Sequence, residues 1–457
     1  MGQINNVVEL RRAIFRKVAE AILNKEFDKR RTEIANELNP DGAETDRKDI
    51  PTARIITNAQ ISAMMGDDMP EDVMMRVVPE ACVACGKASY RVSEYCRACV
   101  AHPCSYACKK DALKKVPGEK AHIDQDKCIR CGLCTTTCPY GAIVYQPVPC
   151  EAACPVGAIS KDESGKEHID PEKCIYCGKC MVACPFGAIW EKSFIRPIFT
   201  DIQQGKTVIA MVAPSLGGQF KQPYGKVLSA IKALGFSDVI EVAKGANVTT
   251  ENDKNEFLER IGRGDKFITT SCCASWLELI RKHIPNIKPF VSDALTPLGY
   301  TAQMLKEKDP NAVLVFVAPC VAKRSEMYRN PNVDYVLSYE ELDCLFSAAK
   351  INIAEQEAIP LDPTILEHGR GFAYIAGVTD SVKAEVENPE VIRGMVIDGL
   401  TKNSVRDLKE MAKDGVAPNG CNFVEVMACI GGCVGGCDTL AMPKAATRQI
   451  MSQAKGK

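Results

Sequence analysis

The sequence predicts a three-part chain: a helical segment over residues 1–80, a small α+β unit over 81–192, and an α/β domain with mostly parallel strands over 193–457. Three observations predict it. Val7, Leu10, Ile14, Val18, Ile22 and Phe27 recur at near-helical spacing, and Asn39-Pro40 ends the run. Sixteen of the 24 cysteines fall between Cys82 and Cys184, in a pattern that recurs every 46 residues. From about Lys206, short apolar runs at 207–212, 239–242 and 313–317 alternate with helical patterns such as 251–261, as expected of parallel strands joined by helices.

In chain order, residues 6–39 read as one helix and 58–78 as a weaker amphipathic stretch. Neither carries ligands, so both are expected to brace the cysteine region or to dock a partner. A net charge of −1 gives no reason to expect nucleic acid or an acidic membrane as partner, and 46% apolar residues suffice for a buried core. No apolar run reaches the roughly 18–20 residues that span a bilayer. Glu9, Arg11, Arg12, Arg16 and Lys17 interrupt any signal-peptide core, so the expected compartment is the cytoplasm. A disulfide scaffold is disfavoured, because the cysteine spacing is of the metal-binding type.

That spacing is Cys128-x-x-Cys131-x-x-Cys134-x-x-x-Cys138-Pro139, repeated as Cys174-x-x-Cys177-x-x-Cys180-x-x-x-Cys184-Pro185. It is the ligand pattern of bacterial ferredoxins. Three thiolates of a loop wrap one face of a 4Fe-4S cube, and the distant Cys-Pro can serve a second cube. The repeat also relates Pro103-Cys104-x-x-x-Cys108 to Pro149-Cys150-x-x-x-Cys154, and His122-Ile123-Asp124 to His168-Ile169-Asp170. The expectation is a ferredoxin-like α+β unit. Cys82, Cys85, Cys96, Cys99, Cys104, Cys108, Cys150 and Cys154 complete the arithmetic for two further four-thiolate sites, giving four accessory clusters. One grouping is Cys96, Cys99, Cys104 and Cys108, with Cys82, Cys85, Cys150 and Cys154 as the other; the exchange of fourth ligands between repeats stays open. A zinc ribbon of Cys82, Cys85, Cys96 and Cys99 is the alternative at one site.

Three further motifs lie in the C-terminal part: Thr270-Ser271-Cys272-Cys273-Ala274-Ser275-Trp276, the run 318–326 around Pro319-Cys320-Val321-Ala322-Lys323, and the run 425–433 around Met427-Ala428-Cys429-Ile430-Gly431-Gly432-Cys433. Together, in this order, they resemble the active-site signatures of the iron-only (FeFe) hydrogenases. With Ala213-Pro214-Ser215 and the ferredoxin-like unit, the resemblance spans roughly residues 80–440. It implies two mostly parallel sheet lobes around a buried cluster. It also implies reversible interconversion of protons and electrons with hydrogen, with electrons relayed to or from ferredoxin. Cys273, Cys320, Cys429 and Cys433 would hold one more 4Fe-4S cube. Cys433 would bridge it to a two-iron subsite carrying CO, cyanide and azadithiolate.

The resemblance makes Cys272 a proton-donating thiol and Lys323 a hydrogen-bond donor to a cyanide. Met427, Pro214 and Ser215 become walls of the pocket, although Met427 also reads as ordinary core. Ser292, Asp253 and Glu256 fall at the positions of a proton relay, with Glu251 competing for Asp253's place. Implied partners are ferredoxin, the maturation proteins that install the subsite, and an electron-bifurcating or other redox complex.

The sequence departs from the family's best-known pattern at Ala274, Ala318 and Leu298, and in the run Val434-Gly435-Gly436-Cys437-Asp438. Cys437 reads as a spare thiol, an alternative ligand or inert; Cys344 and Cys421 read as small buried hydrophobes. Gly431-Gly432-x-x-Gly435 carries a cluster cysteine and is no nicotinamide fingerprint. A low-turnover hydrogen or redox sensor and a non-catalytic iron–sulfur assembly protein are the alternatives. Cys272, Lys323 and Met427 weigh for turnover.

Overall fold

A computed structural model describes residues 5–114 and 118–454. The outermost residues of the expected first and third units, 1–4 and 455–457, lie outside the described residues. Among those described, no helix is long and apolar enough to cross a membrane.

The expected helix over 6–39 is two helices, Asn6–Leu23 and Phe27–Leu38. The break falls at Asn24-Lys25, where Lys25 takes a left-handed φ of 60° and a new helix starts before Phe27. The expected stretch over 58–78 is also corrected. The helix is Ile50–Met65, started by the Asp49 side chain on the Thr52 amide and by Pro51. Gly66 ends it at φ 75°, and Met75–Val77 is a strand paired antiparallel with Ile189–Glu191. Caps therefore outweighed a weak apolar period. Asn6–Leu23 packs on the helix Tyr339–Ala348 and buries Ile14, Phe15 and Val18 completely, so the N-terminal helices brace the α/β part as well as the cysteine region.

The cysteine-rich unit repeats in three dimensions. Leu113–Lys114 pairs with His122–Ile123, and Ile159–Lys161 with Glu167–Ile169. The short helices Pro103–Ala107 and Leu133–Thr137 pack together, as do Pro149–Ala153 and Lys179–Ala183. The strand Ile143–Gln146, which pairs with Ser89–Val92, has its counterpart in Ile189–Glu191.

Beyond it lie two parallel sheets. One has the order Asp238–Glu241, Val208–Val212, Val313–Ala318, Tyr335–Ser338. The other has the order Ile268–Thr269, Phe423–Met427, Gly394–Asp398. The run Val313–Ala318 is buried at every position, which is what a central parallel strand covered on both faces requires. The expected helix 251–261 is the second half of a 20-residue helix, Ala243–Gly262. The candidate segments all leave the carboxyl ends of strands: Pro214 after Val212, Cys272-Cys273 after Thr269, Cys320 after Ala318 and Cys429 after Met427. That is where parallel sheets place their sites.

Candidate functional site

All 24 cysteines are free, and the sixteen of the small unit gather into four sets of four. Cys82, Cys85, Cys150 and Cys184 line one cavity, and Cys96, Cys99, Cys104 and Cys138 a second. Cys108, Cys128, Cys131 and Cys134 line a third. Cys154, Cys174, Cys177 and Cys180 form the fourth, since Cys154 lies within electrostatic reach of the other three and Cys180 within reach of Cys174 and Cys177. The grouping suggested by sequence is thus corrected: Cys108 and Cys138 change places, and so do Cys154 and Cys184. The reason is geometric. Within each repeat the two short helices pack together, so the last cysteine of each motif lines the cavity of the other motif in the same repeat. A zinc ribbon of Cys82, Cys85, Cys96 and Cys99 is not assembled, because the two pairs line different cavities.

The loops fit iron–sulfur cubes. In the first Cys-x-x-Cys of each of the four loops the second spacer takes a left-handed φ: Ala84 50°, Ala98 50°, Arg130 59° and Tyr176 53°. Four non-glycine residues held in this sparse region mark loops wound around a centre. Backbone amides four residues on donate to the distant thiols, Ala112 to Cys108 at 3.3 Å, Ala142 to Cys138 at 3.4 Å and Ala158 to Cys154 at 3.2 Å. Such donors favour thiolates. Burial first, with Glu167 beside Cys150 and Cys177 beside Cys174, pushes both thiols up to about 12, so a bound cation is what would deprotonate them.

In the α/β part, Cys273, Cys320, Cys429 and Cys433 converge from three segments, each within electrostatic reach of the other three. Cys429 also feels Cys177, which places the Cys154/174/177/180 set next to this site. Cys272 sits beside the four thiols in an apolar cluster with Met427, Ala246, Phe372 and Val378. Burial, first, and Cys273, second, push its thiol well above the ordinary range. Lys323 donates from Nζ to the carbonyl of Cys272 at 3.3 Å and is paired with Glu326, which in turn accepts from Thr296 Oγ1 at 2.5 Å. Although burial opposes it, Glu326 holds this lysine charged. Ser215 is fully buried and hydrogen-bonded to Tyr339 Oη at 2.6 Å; Pro214 begins the same tight turn.

The sequence-assigned relay residues come together. Ser292 Oγ lies 2.6 Å from Asp253 and 2.7 Å from Glu256. Burial pushes Asp253 up to about 7, the largest effect on it. Glu256 reaches outward to Arg260 at 2.5 Å and to the Asp293 amide at 3.0 Å. Glu251, the competitor, is exposed on the same helix. The relay is tied to the thiol segment: Ser271 donates to the Ala294 carbonyl at 2.8 Å, and the Ala294 amide donates to Ser292 Oγ at 3.1 Å.

Sequence reasoning missed Tyr339, Thr296, Glu326 and Glu425. Glu425 is buried, held by the Thr379 amide and hydroxyl at 2.9 Å each, and pushed up to about 7 by burial. Glu326 and Glu425 stood inside the quoted motifs. Glu326 is three residues after Lys323 on a helix, a readable pairing distance. Tyr339 and Thr296 gave no such signal. Cys344 is buried as expected, whereas Cys421 is only partly covered.

A fold of parallel sheets carrying four converging thiols, preceded by four ferredoxin-type sites, defines an iron–sulfur protein of the hydrogenase class. Comparison with known proteins agrees. The family described as iron only hydrogenase large subunit, C-terminal domain, matches residues 206–437, and 4Fe-4S binding domains match 120–143 and 167–190. The chain belongs to the iron-only hydrogenase family. It is 27% identical over 281 residues to iron hydrogenase 1 of Clostridium pasteurianum, covering 50% of this chain and 49% of that protein. It is 29% identical to the periplasmic Fe hydrogenase large subunit of Nitratidesulfovibrio vulgaris, covering 70% and 86%. It is 25% identical to cytosolic iron-sulfur assembly component 3 of Rattus norvegicus, covering 55% and 66%. The chain spans about half the length of the first of these relatives.

Four accessory cubes and one at Cys273/320/429/433 require about 20 iron atoms per chain after reconstitution, at four per site. Metal analysis checks this. Roughly 12 iron with one zinc would instead mean a zinc site and fewer clusters.

Proposed function

We propose that this protein interconverts protons and electrons with molecular hydrogen. The observation that carries the reading is Cys272, a thiol set in an apolar cluster beside four converging cysteines and linked by its own segment to a carboxylate–hydroxyl relay. When bound, a two-iron subsite with CO, cyanide and azadithiolate ligands would supply the open iron position and the base at which hydrogen is made or split. Cys273, Cys320, Cys429 and Cys433 would hold the adjoining cube, with Cys433 as the bridge. Cys272 gives or takes a proton at its Sγ. The Lys323 ammonium would donate to an anionic ligand in the pocket, and Met427, Pro214 and Ser215 would exclude water around it.

The relay has a definite logic. A serine hydroxyl has one proton to donate, yet Ser292 Oγ faces two carboxyl groups at hydrogen-bond distance. It must accept from one while donating to the other. A protonated Asp253 donating to Ser292, which donates to Glu256, satisfies both. Reversal of that file moves one proton between the interior and the Glu256 end, which lies beside the exposed Asp293.

Infrared spectroscopy of protein matured anaerobically with competent accessory proteins tests the reading. CO and cyanide stretches together with hydrogen turnover are expected. Cubes present without those bands would sink it and leave the second reading, an iron–sulfur assembly protein, which the likeness to the Rattus norvegicus relative favours.

Ferredoxin is the proposed electron partner. Residues 87–146, around the two outer sites, carry ten Lys and Arg against five Asp and Glu in a chain of net charge −1. Cys131 is exposed, and Lys109, Lys110 and Arg130 line the same cavity. A basic rim next to an exposed site suits an acidic carrier. Reduced ferredoxin, and not NADH alone, should support hydrogen evolution. KM for ferredoxin should rise with salt while kcat holds, as screening of surface charge requires. Robust evolution driven by NADH alone would contradict this. The reading also requires the maturation proteins as partners, and leaves a place for the chain in a larger electron-bifurcating complex.

A further inference from the structure

The 46-residue repeat pairs each position in one half of the cysteine-rich unit with a position in the other. Tyr140, Gly141 and Val144 of the first half correspond to Phe186, Gly187 and Trp190 of the second. The strand pairing agrees: Arg91 stands opposite Val144 as Arg76 stands opposite Trp190. In the second half this face is covered by the N-terminal helical segment. Trp190 is 1% exposed beside Phe15, with ring centroids 5.7 Å apart. Gln60 donates to the Gly187 carbonyl and Arg47 to the Phe186 carbonyl, each at 2.9 Å. Arg76 donates to the Asp67 carbonyl at 3.0 Å, just past the end of the helix Ile50–Met65.

The first half presents the same face uncovered. Val144 is 46% exposed and Tyr140 54%. A Cβ placed on Gly141 would meet nothing within 4 Å, where one on Gly187 would meet Val7 at 3.2 Å. Arg91 reaches Ser89 Oγ, on its own strand, at 3.5 Å. Tyr140 and Arg97 line the cavity of Cys96, Cys99, Cys104 and Cys138, so this face adjoins a cluster site. It is distinct from the rim of Lys109, Lys110 and Arg130, which belongs to the cavity of Cys108, Cys128, Cys131 and Cys134. The chain's own first helix does not suit it. Asn6–Leu23 already buries Ile14, Phe15 and Val18 completely, and its Arg11 is held by Glu191 and Glu340. That helix also carries Arg12, Arg16 and Lys17, the wrong sign for a face bearing Arg91 and Arg97.

We propose that the Tyr140–Val144 face is a docking surface for an acidic amphipathic helix of a partner redox protein. The repeat indicates the kind of occupant, because helices with one apolar stripe are what cover the equivalent face. Arg91 and Arg97 supply the charge to which acidic flanks on that helix are complementary. Arg91 is placed to hold the partner's backbone as Arg76 holds the Asp67 carbonyl. Docking here sets the partner against the Cys96/99/104/138 site, so the partner is one that carries its own electron-transfer centre. The inference rests on the repeat and the thiol sets, not on the hydrogenase reading.

The test uses the full chain, produced in the cells that naturally make it, with a photo-crosslinking residue in place of Val144. Digestion and mass spectrometry of the crosslinked product should place the contact on an acidic helical segment of a protein that binds a flavin or an iron–sulfur cluster. In the chain without the crosslinker, Val144→Glu should lower the co-purifying partner by about tenfold or more, the loss expected of one buried apolar anchor. Iron content and the paramagnetic-resonance signals of the reduced cubes should stay unchanged. Tyr140→Ser gives the same readout should Val144→Glu lose iron. Lys110→Glu, on the other rim, should leave the complex intact. A crosslink to a second copy of this chain, to a basic or cofactor-free protein, or to nothing would overturn the proposal. So would a complex that survives both Val144→Glu and Tyr140→Ser, or one lost in Lys110→Glu instead. These readouts do not involve CO and cyanide bands, so absence of those bands would overturn the hydrogenase reading alone.

Discussion

Cys272→Ala should leave the iron content and the infrared bands of matured protein in place while hydrogen turnover falls by about 10²–10⁴-fold, the loss expected for a general acid–base group. The thiol lies in the apolar cluster with Met427 and Phe372 and carries no load in the fold that an alanine would not. Its neighbour gives the contrast. Cys273 faces Cys320, Cys429 and Cys433, so Cys273→Ala should remove a ligand and lower iron by about four per chain, the content of one cube. Side-by-side iron analysis and turnover of the two variants separate proton transfer from ligation. Near-normal turnover in Cys272→Ala would mean that protons reach the site by another route, with buried Glu425 the first group to examine.

The two adjacent cysteines also mark what was legible in the sequence. Ligand spacing survives folding because three thiols in a Cys-x-x-Cys-x-x-Cys loop are fixed locally. The parallel strands were legible for a similar reason, since a buried run such as Val313–Ala318 has no polar face to disguise it. What spacing could not determine is which of the two sites within a repeat receives the fourth thiol. That depends on how Leu133–Thr137 packs against Pro103–Ala107, a contact between segments about 30 residues apart. The N-terminal helices were misread where capping decided the boundary. Asp49 with Pro51 opened a helix eight residues earlier than the apolar pattern indicated, and Lys25 broke one with no glycine or proline to announce it. One buried ionic set draws on residues as far apart as Arg11, Glu191, Arg324, Glu340 and Asp438. No local pattern encodes such a set, because each charge reads as an ordinary surface residue until the tertiary packing buries it.

Asp253→Asn should have two effects of opposite sign. The amide can still donate to Ser292 Oγ but carries no transferable proton, so turnover should drop by about 10²–10⁴-fold. Stability should rise above neutral pH. In the native chain, burial holds the Asp253 carboxyl at about 7, whereas in the unfolded chain it titrates near 3.9. Below about pH 4 both states hold the proton and the group contributes nothing to the pH dependence. As pH rises from about 4 to 7 the unfolded state loses its proton first, and folding is disfavoured progressively. Above pH 7 the full difference of about 3 pKa units costs up to about 4 kcal/mol. Asparagine does not ionise, so denaturant unfolding of Asp253→Asn should show the gain over the native chain at pH 8 and little of it at pH 4. Ser292→Ala supplies the complement. It removes the hydroxyl between the two carboxyl groups, so turnover should fall while the pH-dependent penalty from Asp253 remains. If Asp253→Asn retained native turnover and gained no stability at pH 8, Asp253 would be a satisfied core residue, and proton delivery would have to be sought away from the Ser292–Glu256 file.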